Sequence, residues 1–131
     1  LQESGMAESK RQWFIDQFEP EGRGVGFAVL GGAFAEGIDL PGSRLIGAFV
    51  ATLGLPPVDP VQEATRRRIE AEWRGRGYDY ACLVPGVRKV VQAAGRVIRG
   101  EDDEGVLYLI DDRFAVVQAK GLLPGWWAAH A

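Results

Sequence analysis

Two stretches of nearly unbroken apolar sequence, Val25 to Leu30 and Leu45 to Ala51, stand out along the chain. Neither alternates polar and apolar residues as a strand with one wet face would, so both are expected to be strands covered on both faces. Such strands belong to parallel sheets. The expected fold class is therefore α/β, in three layers, with a mainly parallel sheet and helices on both faces. A third apolar strand is expected over Val106 to Ile110, closed by Asp111 and Asp112.

Helical signals surround these runs. Trp13, Phe14 and Phe18, separated by polar residues, predict an amphipathic helix from Ser9 to Phe18 that Pro20 and Gly22 stop. Asp59 before Pro60 is an N-cap followed by proline at the first helical position, and opens a helix through about Trp73 that ends near Gly75 and Gly77. Gly86 opens the next element, in which Val87, Val90, Val91, Ala94 and Ile98 form one apolar stripe while Gln92, Arg96 and Arg99 sit off it. In a three-layer domain functional groups lie at the carboxyl ends of the strands. Two places qualify: the loop Gly31 to Pro41, and the helix carrying Gln92. The tail Leu122 to Trp127 is short and broken by proline, so residues 1–131 read as a single domain with Trp126 and Trp127 packed against it or a neighbour.

Composition removes several classes. Fifteen Lys and Arg against eighteen Asp and Glu leave a net charge of -3, with 47% hydrophobic and 25% charged residues. That excludes a disordered tail and a chain held to nucleic acid by bulk positive charge. One cysteine and one histidine supply neither a disulfide nor a structural zinc site, so no metal site is expected, and Cys82 reads as a small buried hydrophobe. His130 is expected in solvent, and Asp102, Asp103 and Glu104 as a solvated turn. The longest apolar run, Leu45 to Leu55, is broken by Gly47, Thr52 and Gly54 and falls short of the roughly 18–20 residues of a membrane span. The expectation is an intracellular, cytoplasmic chain with no membrane partner. It opens on Leu1 rather than methionine and reads as a stretch of a longer protein, monomeric as a fragment.

Two motifs carry chemistry. In Gln92-Ala93-Ala94-Gly95-Arg96-Val97-Ile98-Arg99 the glutamine and both arginines fall at i, i+4 and i+7, on one expected helix face. Two guanidinium groups so placed suit an anion between them, above all a transferring phosphoryl group. Gly95 beside them lets a ligand approach the backbone, at a cost of about 1 kcal/mol relative to alanine. The competing account is a solvated face on which Arg96 and Arg99 pair with Glu101, Asp102 or Asp103. The loop Gly31 to Gly42 holds four glycines with Glu36 and Asp39, enough to present N–H groups to a phosphate and a carboxylate to a ribose. It is not a Walker A loop, because no lysine follows a glycine there, and a plain connection remains its other reading.

Taken in order, Phe34-Ala35-Glu36-Gly37-Ile38-Asp39-Leu40-Pro41-Gly42, then Gln92 to Arg99, then Asp103-Glu104-Gly105-Val106 and Leu109 to Phe114, resemble motifs V and VI and the following strand of XPD- and DinG-type superfamily-two helicases. The likeness covers the second RecA-like domain of that family, from near Leu1-Gln2-Glu3, through Leu55-Pro56-Pro57 and Asp59-Pro60, to Leu123-Pro124-Gly125-Trp126.

The resemblance implies a RecA-like domain of an ATP-driven DNA helicase moving 5′ to 3′, with ATP and Mg²⁺ held in a cleft shared with a first RecA-like domain. Arg96 and Arg99 would be arginine fingers, with Gln92 holding the γ-phosphate or the attacking water and Gly95 beside the nucleotide. Glu36, Gly37 and Asp39 would join the nucleotide side of the loop to single-stranded DNA contacts near Gly32 and Phe34. The family's Walker A and DExH sequences, and any iron–sulfur cluster, belong to the first domain and its insertions, so this stretch alone is expected not to hydrolyse ATP. Motif V departs from the family's common Ser-Phe-Trp-Glu-Gly, having Ala33 and Ala35 in place of the hydroxyl and the second aromatic. From Pro60 to Arg99 nine basic residues face four acidic ones, and Arg66 is the candidate nucleic-acid contact in that stretch. The alternative function is a helicase-like domain without motor activity that docks protein or nucleic acid.

Overall fold

The computed structural model describes residues 6–32, 40–98 and 103–127. Along them run helix α1 (Glu8–Asp16), strand β1 (Gly47–Val50), helices α2 (Pro60–Glu72) and α3 (Val84–Ala94), strand β2 (Val106–Leu109) and helix α4 (Arg113–Ala119), with a 3₁₀ turn at Gly42–Arg44 and a π-helical turn at Asp79–Leu83. The chain divides into two compact units, Leu1–Val50 with Gln92–Tyr108, and Ala51–Val91 with Leu109–Ala131.

In the first unit, Phe14 of α1 and Leu40 form a small core with Met6, Ile15, Phe18 and Leu45 around it. The Phe14 and Phe18 rings meet edge to face at 5.5 Å. β1 and β2 pair with each other. The Val106 N–H donates to the Ile46 carbonyl at 3.1 Å, and Phe49, three residues beyond Ile46, stacks on Tyr108, two beyond Val106, centroids 4.7 Å apart. Because both positions advance together, the strands are parallel, as expected. The arrangement is a small parallel sheet with helices, which is α/β.

Two strand expectations need correction. Val25 to Leu30 is not a buried strand: residues 22–29 form no regular element, and Val25, Phe27 and Val29 are 77%, 66% and 61% exposed. Gly26 lies against α1, where an added Cβ would fall 2.8 Å from Phe14 Cζ and 2.6 Å from Phe18 Cζ. Apolar content favours burial, but a strand also needs a ladder of backbone bonds to a neighbouring strand, and among the described residues the sheet consists of β1 and β2 without this segment. Nor is the sheet covered on both faces. Phe49, Val106 and Tyr108 are exposed on one face, while Ala48, Val50, Leu107 and Leu109 turn inward.

In the second unit, α2 starts where the sequence predicts. Asp59 Oδ1 accepts from the Gln62 N–H at 2.8 Å, and Pro60 occupies the first turn, where its missing N–H is not needed. No residue of α2 is buried, so its stability rests on this cap and on side-chain pairs. The element expected to open at Gly86 begins earlier. The Val84 N–H reaches back five residues to the Asp79 carbonyl, widening the turn just before Pro85. Proline 85 cannot donate to the Ala81 carbonyl four residues back. Gln62 of α2 supplies the donor instead, its Nε2 lying 2.5 Å from that carbonyl and 3.7 Å from Cys82 Sγ. Cys82 is accordingly half-buried rather than buried. Gly86 packs against Leu55, with room for no Cβ: one would lie 2.9 Å from Leu55 Cδ2.

Helix α4 follows a strand end expected only to close on two carboxylates. Asp111 accepts from the Arg113 N–H at 3.0 Å and from its guanidinium at 2.8 and 2.5 Å, and Arg113 also donates to Thr52 Oγ1 at 3.0 Å. The acidic end thus caps a helix that buries Phe114 and Val117. Trp127 is half-buried, and Trp126, with its ring 6.0 Å away, is 65% exposed. No described helix is long and apolar enough to cross a membrane.

Candidate nucleotide-facing site

The candidate residues Gln92, Gly95 and Arg96 sit at the end of α3. Of the expected stripe, Val87, Val90 and Ala94 are 4%, 0% and 2% exposed while Val91 and Ile98 are half-buried, and Val97, outside that stripe, is 4% exposed. Gln92 lies on the opposite side, in solvent. The helix does not continue to Arg99 as expected, because it ends at Ala94. Past that point the winding tightens: the Arg96 N–H donates to Ala93 at 3.1 Å, and those of Val97 and Ile98 both donate to Ala94, at 2.9 and 3.3 Å. Glycine at 95, poor inside a helix, suits a terminus where the last carbonyls take three-residue bonds. Gln92 therefore stands on the last helical turn and Arg96, half-buried and engaged with another group, on the turn that follows. Val97 then packs on Gly105, where a Cβ would overlap its Cγ1 and lie 3.4 Å from the Ile46 carbonyl beside the sheet.

The second candidate segment is fixed at both ends. Gly32 closes a turn in which its N–H donates to the Val29 carbonyl at 2.9 Å, with Gly31 at φ 77°. On the far side Leu40 is buried at 2% exposure, and Gly42 opens the 3₁₀ turn at φ 60°. Arg44 ends that turn by donating to the carbonyls of Phe18 at 2.7 Å and Ile15 at 3.3 Å, a cation at the carboxyl end of α1. Phe34, Glu36, Gly37, Asp39 and Arg99 lie outside the described residues, as do His130 and Asp102. Arg44 was not a candidate. Its partners stand 26 and 29 residues away, so no spacing in the sequence announces it.

Arg66 is elsewhere, on α2 in the second unit. It grips Glu63 with two hydrogen bonds of 2.9 and 2.8 Å, and Arg67 adds a third at 2.9 Å. The Arg66 bonds, then those of Arg67, hold the Glu63 carboxyl down at about 2. A carboxylate held low in the folded chain adds stability above its ordinary range near 4.5 and loses it as pH falls toward 2. We expect the acid unfolding slope between those limits to be shallower in Glu63→Gln, followed by far-ultraviolet circular dichroism. Among the described residues no cluster of histidine, cysteine, aspartate or glutamate could hold a metal ion.

In comparison with known proteins, the helicase C-terminal domain family matches residues 1–130. The chain belongs to that family. This helicase C-terminal domain is 33% identical over 134 residues to a probable ATP-dependent helicase of Methanocaldococcus jannaschii, covering 92% of the chain and 20% of the relative. It is 35% identical over 116 residues to the mouse regulator of telomere elongation helicase 1, covering 82% of the chain and 10% of the relative. To the ATP-dependent DNA helicase DinG of Photobacterium profundum it is 36% identical over 83 residues, covering 63% and 12%. The domain thus spans a fifth or less of these relatives' length, and its kind is that of the XPD and DinG helicases.

Proposed function

We propose that this chain is the second motor domain of an ATP-dependent DNA helicase moving 5′ to 3′. In this reading it completes a RecA-like three-layer fold and meets ATP and Mg²⁺ bound chiefly by a first RecA-like domain, while single-stranded DNA runs across both. Arg96 and Arg99 act as arginine fingers on the γ-phosphate, with Gln92 on the phosphate or the attacking water and Gly95 leaving room for the nucleotide. Glu36, Gly37 and Asp39 line the nucleotide side of the loop, and Gly32 and Phe34 its DNA side. The observation that supports the reading is the family match over residues 1–130, with Gln92 exposed at the end of α3 on the side away from the buried Val87, Val90 and Ala94.

A developing charge on the transferring phosphoryl group is what such guanidinium groups stabilise, with effects of about 10³ to 10⁵ in the enzymes that set the scale. DNA-stimulated ATP hydrolysis by the full-length protein tests it. Arg96→Ala and Arg99→Ala should each lower turnover about 10²-fold or more, with folding and DNA binding retained. Turnover equal to the unsubstituted protein in both would favour the docking module instead.

A further inference from the structure

A second surface lies at the end of α2 and on the turn after it, beside Arg66, the candidate nucleic-acid contact. The sequence there is Trp73-Arg74-Gly75-Arg76-Gly77-Tyr78-Asp79-Tyr80. The Trp73 and Tyr80 rings meet edge to face at 6.3 Å with 60° between planes, yet each stays more than half exposed, at 54% and 53%. Their backbone is locked. The Arg76 N–H donates to the Trp73 carbonyl and the Tyr80 N–H to the Arg76 carbonyl, both at 3.0 Å. The Glu70 carboxylate accepts from the Gly75 and Gly77 N–H groups at 2.7 and 2.9 Å.

The charges around these rings are unevenly satisfied. Glu63 is taken by Arg66 and Arg67, and Glu70 by the turn. Asp79 is held by Lys120, whose Nζ lies 2.5 and 2.6 Å from its two oxygens, leaving Arg76 only a 3.8 Å contact. Arg68 and Arg74 have no ion pair among the described residues. Arg74 instead borders a shallow concavity of about 430 Å³ with Arg66, Arg67, Glu70 and Ala71. Glu72 is the carboxylate of this stretch without a partner there, and it offsets one of the free guanidinium groups.

We propose that this surface binds single-stranded nucleic acid, with a base stacked on Trp73 beside Tyr80 and the flanking phosphates on Arg74 and Arg76. Exposed aromatic faces interleaved with an unpaired Arg74 and an Arg76 held only by a long 3.8 Å contact match unpaired bases on an anionic backbone. An acidic peptide would use the charge but leave the ring faces without a flat partner. Gly75, at φ 79°, and the Glu70 bonds hold the platform in place before binding, so little ordering remains to be done. The site is independent of the nucleotide cleft and requires no second domain.

Fluorescence anisotropy of this chain with a labelled oligothymidylate of about 15 nucleotides tests it. Trp73→Ala should weaken binding about tenfold or more, while Trp73→Phe keeps most of it. Arg74→Gln and Arg76→Gln should each lower the slope of log affinity against log salt by about 0.7, the mark of a lost phosphate contact on a single strand. Circular dichroism confirms that each variant is folded, and Tyr80→Phe guards against loss of the ring pair alone. The proposal falls if the chain does not bind the oligonucleotide, if folded Trp73→Ala binds as tightly as the unsubstituted chain, or if a polyglutamate peptide binds equally well. The assay contains no nucleotide, so its failure leaves the arginine-finger reading standing, and the reverse also holds.

Discussion

Replacing Gly77 by alanine should destabilise the second unit by about 2–3 kcal/mol, the upper part of the range for forcing an added methyl into a packed site. Gly77 is buried where α2 ends, and its N–H is bonded to Glu70. A Cβ there would lie 2.8 Å from the Arg66 carbonyl oxygen and 2.9 Å from both Cβ and Oε2 of Glu70. The first of these is backbone inside a helix and cannot step aside as a flexible side-chain tip would. Relief requires the turn to move away from α2, which breaks the Glu70 bonds. The expected result is a urea midpoint lower by about 1 M at unchanged slope. Gly75→Ala, strained by its φ of 79° but with open space at Cβ, should cost less.

Gln62→Ala should cost about 1–3 kcal/mol, because it removes the donor standing in for the N–H that Pro85 lacks. Ala81 is 5% exposed, so water is a poor substitute. Pro85→Ala restores a backbone N–H four residues after Ala81, so the double variant should recover part of the loss that Gln62→Ala shows alone. Equilibrium unfolding of the four proteins gives the coupling directly. Strictly additive losses would show that the Gln62 amide and the Pro85 backbone do not serve the same carbonyl.

The candidate site divides in the same way as these two effects. The burial stripe of α3 was legible because it repeats every three to four residues within one element, and so was the solvent exposure of Gln92. Where α3 stops was not legible. Residues 95–98 keep winding, but through tighter bonds that hydrophobic spacing does not distinguish from helix. Arg66 read as a candidate nucleic-acid contact in a basic stretch, and the fold closes it and Arg67 onto Glu63.

The sequence by itself determined the start of α2, through Asp59 and Pro60, the strands around Phe49 and Leu107, and membership in the helicase family through motifs kept in order. Each of these signals is local or is a pattern of residue identities, and survives without knowing what lies across space. Only the tertiary structure decided that Val25 to Leu30 lies open rather than in a sheet, that Arg44 closes α1, and that Gln62 answers for Pro85. Those outcomes depend on hydrogen-bond partners 19 to 29 residues distant or on a neighbouring strand. Backbone groups must be satisfied wherever they are buried, and which distant group satisfies them is settled by packing, not by the residues on either side.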